Sequence, residues 1–241
     1  MERTPVHGPN AVHQPRAGVR RDIMKIGIIG TGHMGRALGT GWARSGHAVL
    51  FGSRDRAKAE SAAAAAPSAR AGSFAEAAAF GEVVLYTVRD VLPSALLGRA
   101  DALDGRVVID CNNRTLGDDG NPSLFRFDRP LPERSSAEII AEDCPGARVV
   151  KAFNTIPSPV IELPRERLAS HGVSVFVGAD DAGAKAVVIG LAEELGFIGV
   201  DAGGLAHAHL VEAAADLLRL EIGPLGRGPY ATLSLHVLPE A

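Results

Sequence analysis

The sequence predicts an α/β fold, a doubly wound parallel sheet with a small C-terminal extension of helix and strand. Three observations predict it. Short apolar runs alternate with helical patterns from Met24 to Leu220. Several runs are continuously apolar, as strands covered on both faces are, rather than alternating in polarity. A glycine-rich turn, Gly30-Thr31-Gly32-His33-Met34-Gly35, joins the first strand directly to the first helix. Such alternation favours right-handed crossovers within one sheet.

The elements follow in order. Lys25 to Ile29 is a buried strand. Met34 to Ser45 carries Met34, Leu38, Gly41 and Trp42 on one helical face, and Gly46 stops it. Ala48 to Phe51 is the second strand. Arg56 to Ala66 is an alanine-rich helix ended by Pro67, with Asp55 placed to cap its start. Val83 to Val88 and Arg106 to Asp110 are further strands. Ser135-Ser136-Ala137-Glu138 spells a capping box that opens a helix, and Pro145-Gly146 ends it. Strands follow at Arg148 to Phe153, Val173 to Val177 and Phe197 to Val200. Helices fill Asp181 to Leu195 and Leu205 to Leu220, and Gly223 to Tyr230 is turn-like.

The composition sets bounds. The chain has 241 residues, 46% apolar and 22% charged, with a formal charge of −3. That is ordinary globular composition, and no apolar run reaches the ~18 residues of a membrane span. The basic residues are dispersed, so neither nucleic acid nor a membrane is an expected partner. Two cysteines, Cys111 and Cys144, suit a reducing cytoplasm and are too few for a disulfide framework. His207 and His209 stand two apart on a helix and do not share a face, so no metal site is expected. Residues 1–23 are rich in Pro and Arg and poor in large apolar side chains. They read as a disordered extension. Residues 24–160 then form a dinucleotide-binding domain and residues 161–241 a smaller region for substrate or a second cofactor.

The glycine turn matches the G-x-G-x-x-G fingerprint of Rossmann-type domains, in the strand-to-helix setting that gives the pattern meaning. Gly30 allows the tight turn, and Gly32 lets the backbone approach a pyrophosphate. Gly35 allows close packing of the helix. The free amides of the helix's first turn hold the anion. The second strand ends in Gly52-Ser53-Arg54, where an NAD site usually carries a carboxylate. Arg54 offers a planar fork for a phosphate and Ser53 a hydroxyl. NADP is therefore expected rather than NAD, with Arg56 and Lys58 read as solvated helix residues.

Familiar catalytic patterns are missing. Tyr86 and Tyr230 are followed four residues on by Asp90 and Ser234, not by Lys. No G-x-S-x-G elbow occurs. Candidates near a nicotinamide are Thr87 to Asp90, Asp110 to Asn113 and Asn154-Thr155, each following a strand. No residue is assigned as catalytic.

Together these residues resemble the coenzyme F420-dependent NADP oxidoreductases. The resemblance rests on Lys25 to Gly35, Gly52-Ser53-Arg54 and Lys151-Ala152-Phe153-Asn154-Thr155. It extends to Val177-Gly178-Ala179-Asp180-Asp181 and Asp201-Ala202-Gly203-Gly204-Leu205. It implies hydride transfer between NADPH and a 5-deazaflavin, whose ring delocalises the incoming electrons itself. It also implies that Thr87, Val88, Asn112, Asn154 and Thr155 contact the nicotinamide and its ribose, and that the C-terminal part closes over the second cofactor. The chain departs from the family at Arg89-Asp90, commonly Pro-Trp, and at Asp110 to Asn113, which lacks Thr-Asn-Pro.

Three readings stay open: an NADPH–F420 oxidoreductase, an NADPH-dependent reductase of a small imine, enone or ketone, and a non-catalytic NADP(H) sensor. Leu210, Ala213, Ala214, Leu217 and Leu218 form an apolar stripe on the last helix, from which a homodimer is expected.

Overall fold

The computed structural model describes residues 22–114 and 132–238. Of the expected N-terminal extension, only Asp22 and Ile23 fall among the described residues. Six strands form one sheet: β1 (Lys25–Ile29), β2 (Ala48–Gly52), β3 (Arg70–Gly72), β4 (Val83–Tyr86), β5 (Val107–Asp110) and β6 (Arg148–Lys151). Their order is β3-β2-β1-β4-β5-β6, and every pairing is parallel. This is the doubly wound Rossmann-type α/β sheet that the sequence predicts.

Nine α-helices are described: α1 (His33–Arg44), α2 (Arg56–Ala64), α3 (Phe74–Phe80), α4 (Pro93–Leu97), α5 (Ser136–Asp143), α6 (Ser158–Ile161), α7 (Arg165–Ser170), α8 (Ala182–Glu194) and α9 (Ala208–Ile222). Successive strand residues point to opposite faces, and the two faces bury separate clusters. Ile26 and Ile28 pack with Leu38, Trp42 and Phe51. Ile29 packs with Leu50, Ala77 and Val84 on the other face. Gly27 lets α3 press directly on β1, because a Cβ there would lie 2.0 Å from the Ala77 carbonyl oxygen.

Local signals explain the element ends. The Asp55 carboxylate accepts from the Ala57 and Lys58 amides, as expected of a cap. Ser135 and Glu138 form a reciprocal capping box at the start of α5. The strand expected over Val83 to Val88 stops at Tyr86, opposite Ile29 where β1 also ends. There the Thr87 amide and hydroxyl both donate to the Ile29 carbonyl at 3.0 Å.

A two-stranded parallel sheet, β7 (Ser174–Val177) and β8 (Ile198–Asp201), continues the alternation with α8. It joins the main sheet through antiparallel backbone bonds between Lys151 and Gly178, at 2.8 and 2.9 Å. Phe153 seals the junction, meeting the rings of Trp42 and Phe197 edge-on at 5.8 and 6.4 Å. Such aromatic pairs add ~0.5–1.5 kcal/mol beyond area burial. The Trp42 indole donates to the Leu191 carbonyl at 3.1 Å, so α1 and α8 share one core.

Candidate functional site

The chain order reverses between β1 and β4, which lie side by side. Doubly wound sheets bind ligands at that switch point, outside the carboxyl ends of the strands. A cleft of about 500 Å³ opens there. The glycine turn and α1 contribute Gly30, Thr31, Gly32 and Arg36, and the end of β2 and start of α2 contribute Ser53, Arg54, Asp55 and Lys58. Phe74, Thr87 and Val88 complete the lining.

Each glycine of the turn has a separate physical cause. Gly30 has φ +108°, a backbone conformation suited to glycine, and a Cβ would meet the Thr87 hydroxyl at 2.3 Å. Gly35 faces back into the turn, where a Cβ would lie 2.1 Å from the Gly30 carbonyl oxygen. Gly32 is different: a Cβ there would meet nothing within 4 Å. It opens onto free space at the start of α1. That start has no side-chain cap and no acidic residue in its first turn. The His33, Met34 and Gly35 amides therefore remain for an anion. The twelve-residue α1 and the bare approach at Gly32 fit a dinucleotide pyrophosphate.

The end of β2 fits a further phosphate. Among the described residues the exposed Arg54 guanidinium has no hydrogen-bond or ion-pair partner. The Ser53 hydroxyl accepts from the Asp55 amide at 3.1 Å, which leaves its proton to donate outward. Asp55, the carboxylate in the lining, is occupied with capping α2. Lys58 also reaches the lining, exposed to solvent and 3.9 Å from Asp55. Arg56 points elsewhere, paired with Glu60 at 2.8 Å. Arg36 also reaches the cleft, but its guanidinium is spent on the Thr31 carbonyl, the Ser61 hydroxyl and the Lys58 carbonyl.

The opposite end of the cleft is built from β4, β5 and β6. Thr87 and Val88 line it directly. Asn112 lies behind them, its carboxamide donating to the Tyr86 and Val88 carbonyls at 3.2 and 3.4 Å. Asn154 and Thr155 are buried beyond β6, off the lining of this cleft. The Asn154 carboxamide nitrogen donates to Asn113 Oδ1 at 2.8 Å and to the Val211 carbonyl at 3.1 Å. Among the described residues, Asn154 Oδ1 and Thr155 Oγ1 are both buried without a hydrogen-bond partner. Buried polar atoms are rarely left so, and two adjacent ones single out this turn.

The hydroxyls and the thiol around Thr87 are committed to backbone carbonyls. The Tyr86 hydroxyl donates to the Val91 carbonyl at 2.6 Å. Burial, with Asp143 and Asp110 nearby, raises its pKa further. Burial likewise pushes the Cys111 thiol up to about 12. Among the described residues no group of three His, Cys, Asp or Glu is placed to hold a metal.

The parallel sheet, the glycine turn at its switch point and the cationic end of β2 define a dinucleotide-dependent oxidoreductase. The comparisons sharpen that class. Residues 25–114 match the family described as NADP oxidoreductase, coenzyme F420-dependent. The chain is 31% identical over 231 residues to the F420-dependent NADP reductase of Methanothermobacter marburgensis, covering 90% of this chain and 100% of that protein. It is 33% identical over 199 residues to Metalloreductase STEAP3 of Rattus norvegicus, covering 82% of this chain and 37% of that longer protein. A solved structure from Arthrobacter sp. FB24, assigned as an F420-dependent NADP-reductase, superposes with a TM-score of 0.73 at 29% identity. It covers 89% of this chain and 100% of that one. The chain belongs to the coenzyme F420-dependent NADP oxidoreductase family, and its cofactor is NADP(H).

Proposed function

We propose that this oxidoreductase transfers hydride between NADPH and a 5-deazaflavin, coenzyme F420. The observation that carries the reading is the committed state of the hydroxyls and the thiol around Thr87. Tyr86, Thr87 and Cys111 all face backbone carbonyls. A carbonyl reduction needs a positioned proton donor. A deazaflavin takes hydride on its ring carbon and spreads the charge through the ring, so its remaining proton can come from water. The reaction balances as NADPH, F420 and one proton giving NADP+ and reduced F420. The name of the full-length Methanothermobacter relative supports the same partner.

In this reading NADPH supplies the hydride from its nicotinamide ring. The His33, Met34 and Gly35 amides hold the pyrophosphate, and Ser53 and Arg54 hold the 2′-phosphate. Thr87, Val88 and Asn112 set the ring's floor; Asn154 and Thr155, which the resemblance assigns to the nicotinamide and its ribose, lie off the cleft lining with their side-chain oxygens buried. Residues 161–241 cover the second cofactor. Two unpaired, buried cysteines accord with a cytoplasmic setting.

One observation favours a second reading, reduction of a small imine, enone or ketone. Arg89, exposed and without a partner among the described residues, follows Val88 directly, and Asp90 adopts a left-handed φ of +62°. This changes the surface beside the nicotinamide from the family's Pro-Trp. The test is stopped-flow absorbance of NADPH mixed with purified coenzyme F420, then with a panel of imines and enones. Coupled loss of NADPH and F420 absorbance is the expected result. Loss with an organic substrate alone supports the second reading, and binding without any turnover a sensor.

The homodimer forms through α9. Leu210 and Leu217, seven residues apart, are 59% and 51% exposed, with Ala213 and Ala214 between them, while Leu218 turns into the core. Spacing of 3, 4 and 7 makes one continuous seam, and its small central residues admit a second copy of α9 at close range. Light scattering at micromolar concentration should report twice the 25.0 kDa chain mass. A single-chain mass there would end the claim.

A further inference from the structure

At the carboxyl ends of β5 and β6 lies a buried ionic cluster that the sequence does not announce. The Lys151 ammonium is fully buried, as is Asp110, and Glu212 of α9 is 6% exposed. Lys151 Nζ donates to Asp110 Oδ2 at 2.9 Å, Glu212 Oε1 at 2.5 Å and Ser136 Oγ at 2.8 Å, and also to the Asn112 carbonyl. Four oxygens thus surround a group with three N–H bonds. Glu212 in turn accepts from the Ser136 amide at 2.8 Å and the Arg114 amide at 3.1 Å.

A buried ion pair is a weak source of stability, because desolvation offsets much of its attraction. What it supplies is geometry. Lys151 grips the Asn112 carbonyl, and Asp110 Oδ1 accepts the Asn112 amide at 3.0 Å. The Asn112 backbone is therefore held from both sides. Its carboxamide then fixes the carbonyls of Tyr86 and Val88, on either side of Thr87. A continuous path of hydrogen bonds runs from α9 to the floor of the cleft.

We propose that Lys151 and Glu212 are positioning residues for hydride transfer: through Asp110 and Asn112 they hold Thr87 and Val88 at the spacing the nicotinamide ring requires. Neither need touch the cofactor. The proposal rests on the reading of Thr87 and Val88 as the ring's floor. The adenosine end of the cleft, at Ser53 and Arg54, lies outside this path.

The test compares the two ends of the cofactor in Glu212→Gln. The milder Ser136→Ala removes one ligand of Lys151 and no charge. Affinity for 2′,5′-ADP reads the phosphate end, and emission anisotropy of bound NADPH reads the restraint on its nicotinamide. In Glu212→Gln the 2′,5′-ADP affinity should stay within about twofold. Nicotinamide anisotropy should fall, and hydride transfer should slow about tenfold, since small misplacement of reacting groups carries losses of that order or larger. Ser136→Ala should show the same pattern more weakly. Unchanged nicotinamide anisotropy in the folded variants, with only a lowered melting temperature, would overturn the positioning role. An unrestrained nicotinamide in the unsubstituted protein would instead overturn the reading of the floor, and this proposal with it.

Discussion

Replacing Arg54 by alanine is expected to weaken NADPH binding about ten- to a hundredfold and to leave NADH nearly untouched. One charge-assisted hydrogen bond is worth about 1.5–3 kcal/mol, and NADH presents only a hydroxyl where NADPH presents a phosphate. Arg54 is suited to the role because its fork is unspent. Arg36, the other guanidinium in the lining, already serves three oxygens of the turn and α2. Lys58 lies near the Asp55 carboxylate, at 3.9 Å, and contributes a point charge without a planar fork. Arg54 is exposed, so salt screens part of the effect and the lower end of the range applies at high ionic strength. Steady-state KM values for both cofactors decide the matter. Equal weakening of NADH would mean that Arg54 stacks on the adenine or shapes the loop. No change in either would move the phosphate to Lys58.

The cofactor half of the site was legible because its signals are local. A strand, a glycine spacing and a helix lie within twenty residues, and each glycine has a steric cause visible in the fold. Asp55 and Ser135 were legible for the same reason, as caps act over three residues. The nearby β3 was not, because three residues of Arg70-Ala71-Gly72 carry no period. Its neighbour α3 did leave a signal: Ser73 and Glu76 form a capping box of the same kind as Ser135 and Glu138. The helices α4, α6 and α7 are four to six residues long, too short for an amphipathic pattern to emerge. Lys58 is solvated as its sequence setting suggests, and its place beside the cleft is not legible because sequence does not tell which side of the first turn of α2 faces the cleft.

The buried cluster was hidden for a different reason. Its members come from β5, α5, β6 and α9, spread from Asp110 to Glu212. Only the pairing of β5 with β6 puts Asp110 beside Lys151. One clue was available: Lys151 interrupts the apolar run Val149-Val150-Lys151-Ala152-Phe153. A charge inside a strand buried on both faces needs a partner of opposite sign. The sequence does not say which carboxylates answer it.

Gly35→Ala and Gly32→Ala should separate folding from binding at the glycine turn. The Gly35 Cβ would lie 2.1 Å from the Gly30 carbonyl oxygen and 3.2 Å from a methyl of Ile28. The oxygen belongs to backbone, so the turn itself must move by about an ångström. Gly30 has little room to follow, since its amide donates to the Gly52 carbonyl at 3.1 Å and Thr87 sits against it. Overpacking of this kind costs about 1–3 kcal/mol. Gly35→Ala should therefore lower the melting temperature and weaken NADPH about tenfold or more. Gly32→Ala has no such clash, because its Cβ meets nothing within 4 Å and its φ of −73° suits any residue. Its methyl instead enters the space over the first-turn amides where the pyrophosphate must settle. NADPH should then bind about ten- to a hundredfold more weakly, while the melting temperature stays near that of the unsubstituted protein. Thermal unfolding followed by circular dichroism and NADPH titration by fluorescence measure both quantities on both variants. Full NADPH affinity in Gly32→Ala would show that the pyrophosphate does not cross Gly32, and the anion would have to be sought away from the start of α1.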